Sequence, residues 1–181
     1  LKGSPQRVGG NFLCSANLLT SLEGSPQIVV GGFVCSYNKL TTLEGSPQRV
    51  GGAFACTNNK LESLKGMPPR IGHDMWCTYN QLTNLEGSPT YIPGIFCFHS
   101  NPLATLNGMP ASIDDSVMLD WTENLPLLQC LNAKEGVVLL NAPSGLEKIL
   151  NDDMWKGQGR RGAMRCIAAL VEAGFEGNAK W

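Results

Sequence analysis

Six leucines, Leu1, Leu22, Leu43, Leu64, Leu85 and Leu106, follow one another at intervals of 21 residues. The residues between them repeat too, as in LEGSPQIVVGGFVCSYNKLTT and LEGSPQRVGGAFACTNNKLES. A strict period of this length predicts a solenoid, in which each unit buries its apolar residues only by stacking on its neighbours. Chains of that kind build long ordered surfaces that bind, and rarely carry chemistry.

Numbered from its leucine, each unit places equivalent residues in columns. Val8, Val29, Val50, Ile71, Ile92 and Ile113 form one, and Phe12, Phe33, Phe54, Met75, Phe96 and Val117 the next. Cys14, Cys35, Cys56 and Cys77 continue as Phe98 and Leu119, and Leu19, Leu40, Leu61, Leu82 and Leu103 close the unit. The Phe-x-Cys alternation predicts a short parallel strand with one buried face. Gly9-Gly10, Gly31-Gly32 and Gly51-Gly52 precede the strands, where a sharp turn calls for positive φ. Gly-Ser-Pro at 3–5, 24–26, 45–47 and 87–89 predicts an extended, polyproline-like run on the opposite side of the coil.

The pattern Phe-x-Cys-x-x-Asn-x-Leu-x-x-Leu resembles the leucine-rich repeat. It is closer still to the short bacterial type and to tailed-bacteriophage proteins carrying LTSLEGSP…VGG-x-F-x-C-S-x-N-x-L. That resemblance implies an α/β solenoid with a parallel sheet on the concave face and an extended convex side. It covers five full units and a degenerate sixth, residues 1–124, and leaves 125–181 as a small helical carboxy-terminal cap. It also implies an asparagine ladder between coils at Asn17, Asn38, Asn59, Asn80 and Asn101.

The chain of 181 residues has a net charge of −1, which gives no field for recruiting nucleic acid or an anionic membrane. No apolar run approaches the roughly 18 residues of a membrane span. The chain opens on a repeat leucine without a secretory signal, so an upstream segment is expected. Seven cysteines suggest disulfides or a metal site, but four of them share one column, about 4.8 Å apart. Parallel Cβ vectors suit a disulfide poorly, and a straight ladder does not converge tetrahedrally on zinc. Packed free thiols in a reducing compartment are the expectation, with disulfide or metal as the alternative. No cofactor is expected. In the fifth unit either Phe98 takes the core slot and Cys97 faces out, or a one-residue slip puts Cys97 inside.

Outward strand positions are the candidate binding surface: Leu13, Val34, Asp74, Trp76, Ile95 and His99, joined by Tyr37 and Tyr79 at the following position. Exposed aromatics are enriched at interaction hot spots, which singles out Trp76 beside Tyr37 and Tyr79. The alternative is that this strip is covered by more of the same chain or by a neighbouring subunit. His73 and His99 lie in different units, with no nucleophile that the sequence places beside them, so no catalytic residue is assigned. Asp74, Asp114, Asp115 and Asp120 lack calcium-loop spacing.

Beyond residue 124 the texture changes. Residues 125–133 read as a short helix, and Ser144 with Glu147 as a capping box for a second. Residues 161–173 read as the third, stopped by Gly174. Val137–Leu140 is strand or buried turn. The glycine-loosened loop bearing Lys156, Arg160 and Arg161 is either an anion contact at a helix start or a solvated loop. The expected function is non-enzymatic: a protein-interaction or structural protein of the phage type, binding a protein or glycan through its concave face. The partner would be another virion subunit or a host protein, in the virion or host cytoplasm, with homo-oligomerisation as a further option. The alternative is an effector that inhibits or selects a host enzyme. A ubiquitin-ligase effector is disfavoured, because the segment after residue 125 is too short and Cys130 and Cys166 lack a Cys-x-Asp setting.

Overall fold

The structure, a computed structural model, describes residues 1–155 and 159–180. It is a parallel β-solenoid of about six turns with few helices. One seven-stranded parallel sheet runs its length. Its strands are Phe12–Leu13, Phe33–Val34, Phe54–Ala55, Met75–Trp76, Phe96–Cys97, Ser116–Asp120 and Gly136–Leu140. The register joins Phe12 to Phe33, Phe33 to Phe54, Phe54 to Met75, Met75 to Phe96 and Phe96 to Val117. The column arithmetic of the sequence is therefore the strand register of the fold.

Burial follows from that register. Leu22, Leu43, Leu64, Leu85 and Leu106 are fully buried, as are Phe33, Phe54, Met75, Phe96 and Val117. The rings of Phe12, Phe33 and Phe54 stack with 5.5 Å between centroids and planes within 13°. The cysteine column sits beside them, free and buried. Cys35 Sγ donates to Ala55 O at 3.5 Å and Cys77 Sγ to Cys97 O at 3.6 Å, so these two thiols each bond to the next coil. Burial raises the Cys35, Cys56 and Cys77 thiols well above their ordinary range, with the neighbouring thiols adding to it. They stay protonated and pack as small apolar groups.

Of the five asparagines expected to form a ladder, Asn38, Asn59, Asn80 and Asn101 bond between coils, whereas Asn17 bonds within its own. Leu19, Leu40, Leu61 and Leu82 donate their backbone N–H groups to the side-chain oxygens of Asn38, Asn59, Asn80 and Asn101, at 3.0–3.1 Å. The amide nitrogens return bonds to backbone carbonyls, Asn59 to Cys35 O and Cys56 O at 3.2 and 3.0 Å. Polar backbone inside the coil is thereby paired where no strand reaches it.

Two expectations about glycine are corrected. The glycine of Gly-Ser-Pro is not extended; each Leu-x-Gly-Ser is a tight turn, with Ser25 N–H on Leu22 O at 3.0 Å and Ser46 N–H on Leu43 O at 3.0 Å. Positive φ falls on the third residue of these turns, Gly24 at 82° and Gly66 at 86° among them, and not on the Gly-Gly pairs. At Gly31-Gly32 and Gly51-Gly52 the coils approach closely, and a Cβ on Gly51 would lie 2.1 Å from Val30 O, whereas one on Gly9 or Gly10 would meet open space.

The chain beyond 124 continues the solenoid before leaving it. Val137–Leu140 resolves as strand: Gly136–Leu140 pairs with Ser116–Asp120 over five residues. The segment expected as a helix at 125–133 is a 3₁₀ turn, Leu127–Asn132. Helix α1 spans only Leu146–Leu150, and helix α2 spans Gly159–Glu172. The capping box does not form. Gly145 precedes α1 in the left-handed region with no side-chain cap, and Glu147 instead accepts the Leu139 N–H from the strand beside it. Asn151 adds two bonds to Val137, from its N–H and to its carbonyl, both 2.7 Å. Side chains thus occupy the outer edge of the last strand. Buried Asn178 pins the far end of the chain, accepting Trp121 Nε1–H at 3.1 Å and donating to Thr122 O and Leu125 O at 2.9 Å.

Candidate functional site

The outward face of the long sheet gathers most of the residues expected to bind. Leu13 is 70% exposed, and Val34 and Trp76 are half-buried in the same column. Register sets Ala55 beside Trp76 and Trp76 beside Cys97. Phe98 takes the inner slot, where its ring meets Phe96 at 4.5 Å. Cys97 therefore lies in the outward column, yet it is fully buried, and burial raises its thiol to about 11. The outward column is closed over at that coil.

The next column has a feature that no letter pattern announces. Ala16, Tyr37, Asn58, Tyr79 and Ser100 all hold φ between 53° and 58°, one left-handed residue per coil. The chain leaves the sheet there, and the following residue turns inward as the ladder asparagine. Left-handed backbone costs an L-residue roughly 1–2 kcal/mol, and asparagine tolerates it best. Asn58 fits that preference. Tyr37 and Tyr79 do not, and they remain 59% and 57% exposed. Tyr79 packs edge-on against His99 at 5.5 Å.

Asp74 and Ile95 are half-buried, and their chemistry points elsewhere. Asp74 Oδ1 accepts the Ile95 N–H at 2.9 Å and pairs with His73 Nδ1 at 3.0 Å. Asn11 does the same for Gly32 N–H at 2.8 Å. These side chains bridge coils, leaving Asp74 little freedom toward a ligand.

His99 Nδ1 lies 3.0 Å from the Oγ of Ser100, the next residue in the chain, a neighbour the sequence reading overlooked. Asp120 accepts the Ser100 backbone N–H and does not orient the imidazole. Among the described residues no third group holds the imidazole in position as a base. Among the described residues no group of three or more metal-ligating side chains assembles, and no helix is long and apolar enough to cross a membrane. Of the expected anion contacts, Lys156 and the Arg160 side chain lie outside the described residues, and Arg161 is exposed near the start of α2. No family model, curated protein or solved structure matches this chain.

Proposed function

We propose that the protein is a leucine-rich-repeat interaction module of the short bacterial and bacteriophage type. Its outward sheet face binds a protein partner, and its terminal helices serve as a cap. The observation that supports this most is the pair Tyr37 and Tyr79. Both occupy backbone that disfavours their side chain, and both keep more than half of it in water. Neither strain nor exposure serves stability, so the rings are explained by what they touch outside the chain. Trp76 lies three residues before Tyr79 in the same coil, and Ala55, Val34 and Leu13 continue its column toward the first coil.

The repeat's likeness to phage-encoded chains favours another subunit of a particle or a host protein as the partner. The same face would serve an effector that inhibits or selects a host enzyme. Two experiments separate these. Mass spectrometry of purified particles finds the chain in stoichiometric amount if it is structural. Capture from host lysate by wild type, compared with Trp76→Ala, finds a host partner instead. The reading expects the variant to lose capture with an unchanged melting temperature; loss of binding that merely follows unfolding contradicts it.

A further inference from the structure

Away from the long sheet, the coils carry a second, lateral ladder. Arg7–Val8, Ile28–Val29 and Arg49–Val50 pair in parallel, and so do Tyr91–Ile92 and Ser112–Ile113. The fourth coil forms no paired strand in it, although Val50 N–H still reaches Arg70 O at 3.2 Å. Backbone bonds pass from Gln27 N–H to Gln6 O and from Gln48 N–H to Gln27 O, both 2.9 Å. At the next step the sequence has Pro68-Pro69, which offers no N–H. In this column the bonding resumes at Ala111 N–H on Thr90 O, 2.9 Å.

The break opens a cleft of about 390 Å³, lined by Arg49, Gly51, Pro69, Arg70, Gly72 and Tyr91 among others. Arg49 and Arg70 are exposed, belong to adjacent coils and both line this cleft. Neither has an acidic partner among the described residues. The Arg70 N–H, freed by the broken ladder, has no backbone acceptor either. Asp114, the carboxylate bonded to the cleft residue Tyr91, is also held by Lys134. Two adjacent guanidiniums and a free amide in a cleft without acids form a donor set with no internal acceptor.

We propose that this cleft binds an oxyanion, the two guanidiniums gripping its oxygens and the Arg70 N–H completing the cradle. Guanidinium forks match carboxylate and phosphate alike, so a free phosphate and the side chain of an acidic peptide are the two sources of the group. The site is independent of the outward sheet face.

The test is a titration of the full chain with inorganic phosphate and, separately, with a triglutamate peptide, read by ¹⁵N NMR. Saturable shifts centred on the Arg70 and Gly72 amides are expected in at least one arm, and the arm that responds assigns the source. The double variant Arg49→Gln/Arg70→Gln should bind about tenfold more weakly or worse, as loss of charge-assisted bonds implies. Lys60→Gln, which removes one charge elsewhere, should change binding less than about twofold. Arg70→Lys keeps the charge without the fork, and serves if the double variant fails to fold. Trp76→Ala should leave the titration untouched, which separates failure here from failure of the sheet-face reading. No saturable shift in either arm, shifts centred elsewhere, or equal weakening by Lys60→Gln would overturn the proposal.

Discussion

The side-chain oxygen of Asn59 accepts the backbone N–H of Leu40 at 3.0 Å, across 19 residues of sequence. Both residues are buried, so neither group can turn to water when the other is lost. Asn59→Ala should therefore cost about 3 kcal/mol in urea unfolding, the range for stranding a buried donor together with carbonyls. Asn17 is exposed and bonds only within its own coil, to Cys14 O and Ser15 O at 3.1 and 2.9 Å. Asn17→Ala should cost about 1 kcal/mol or less. Equal costs would mean that the ladder does not couple coils.

A second contrast tests the stacking of the turns. Gly3 and Gly66 have nearly the same φ, 91° and 86°, but a Cβ on Gly3 meets open space, whereas one on Gly66 lies 2.5 Å from the Leu43 carbonyl carbon. Gly3→Ala should cost only the left-handed strain, about 1 kcal/mol. Gly66→Ala should cost about 3 kcal/mol or more, since backbone must move as well. Thermal melts of the two variants check this directly.

Alkaline pH should destabilise the fold. Burial raises Cys14 and Cys166 to about 11 and Cys130 to about 12, from an ordinary value of 9.0. Below pH 9 both folded and unfolded chains keep these protons, and stability is independent of them. Above it the unfolded chain ionises first, binds fewer protons, and stability falls until the folded thiols ionise too. Melting temperature should be level from pH 7 to 8 and fall between about 9 and 12. Cys130→Ala should have the shallower slope in that window, whatever its stability at neutral pH.

Tyr37→Asn separates a binding role from a structural one by sign. Asparagine suits the left-handed position better, and the ring that is lost is 59% exposed. The variant should be as stable as wild type or more stable by up to about 1 kcal/mol, while losing capture of the partner. A clear loss of stability would show that the ring belongs to the fold.

The repeat made the inner columns legible, because a period of 21 forces equivalent residues onto one another once the coils stack. It could not show the left-handed column, since Ala16, Tyr37, Asn58, Tyr79 and Ser100 share no chemistry; what they share is a position where the chain turns. Glycine misled for the related reason that it serves two needs. Gly66 provides a turn and Gly51 provides clearance, and the letters are the same. Glu147 matched a capping box three residues after Ser144, but an open strand edge lay within its reach and offered the N–H of Leu139. Asn178 was invisible as a structural residue: it bonds to Thr122 from 56 residues away. The outward residues were placed by alternation alone, which could not foresee that Asp74 would be committed to the Ile95 N–H.

The most direct test of the account is a set of cross-coil NOEs. Phe33 N–H bonds to Ala53 O at 2.9 Å and Cys35 N–H to Ala55 O at 2.8 Å, so each amide proton lies near backbone 20 residues ahead. NOEs from the Phe33 and Cys35 amides to the α-protons of Ala53 and Ala55, repeated one period on from Phe54 to Asp74 and from Cys56 to Trp76, are expected. Their absence, or a pattern of contacts confined to residues three and four apart, would contradict the stacked-coil fold and every surface derived from it.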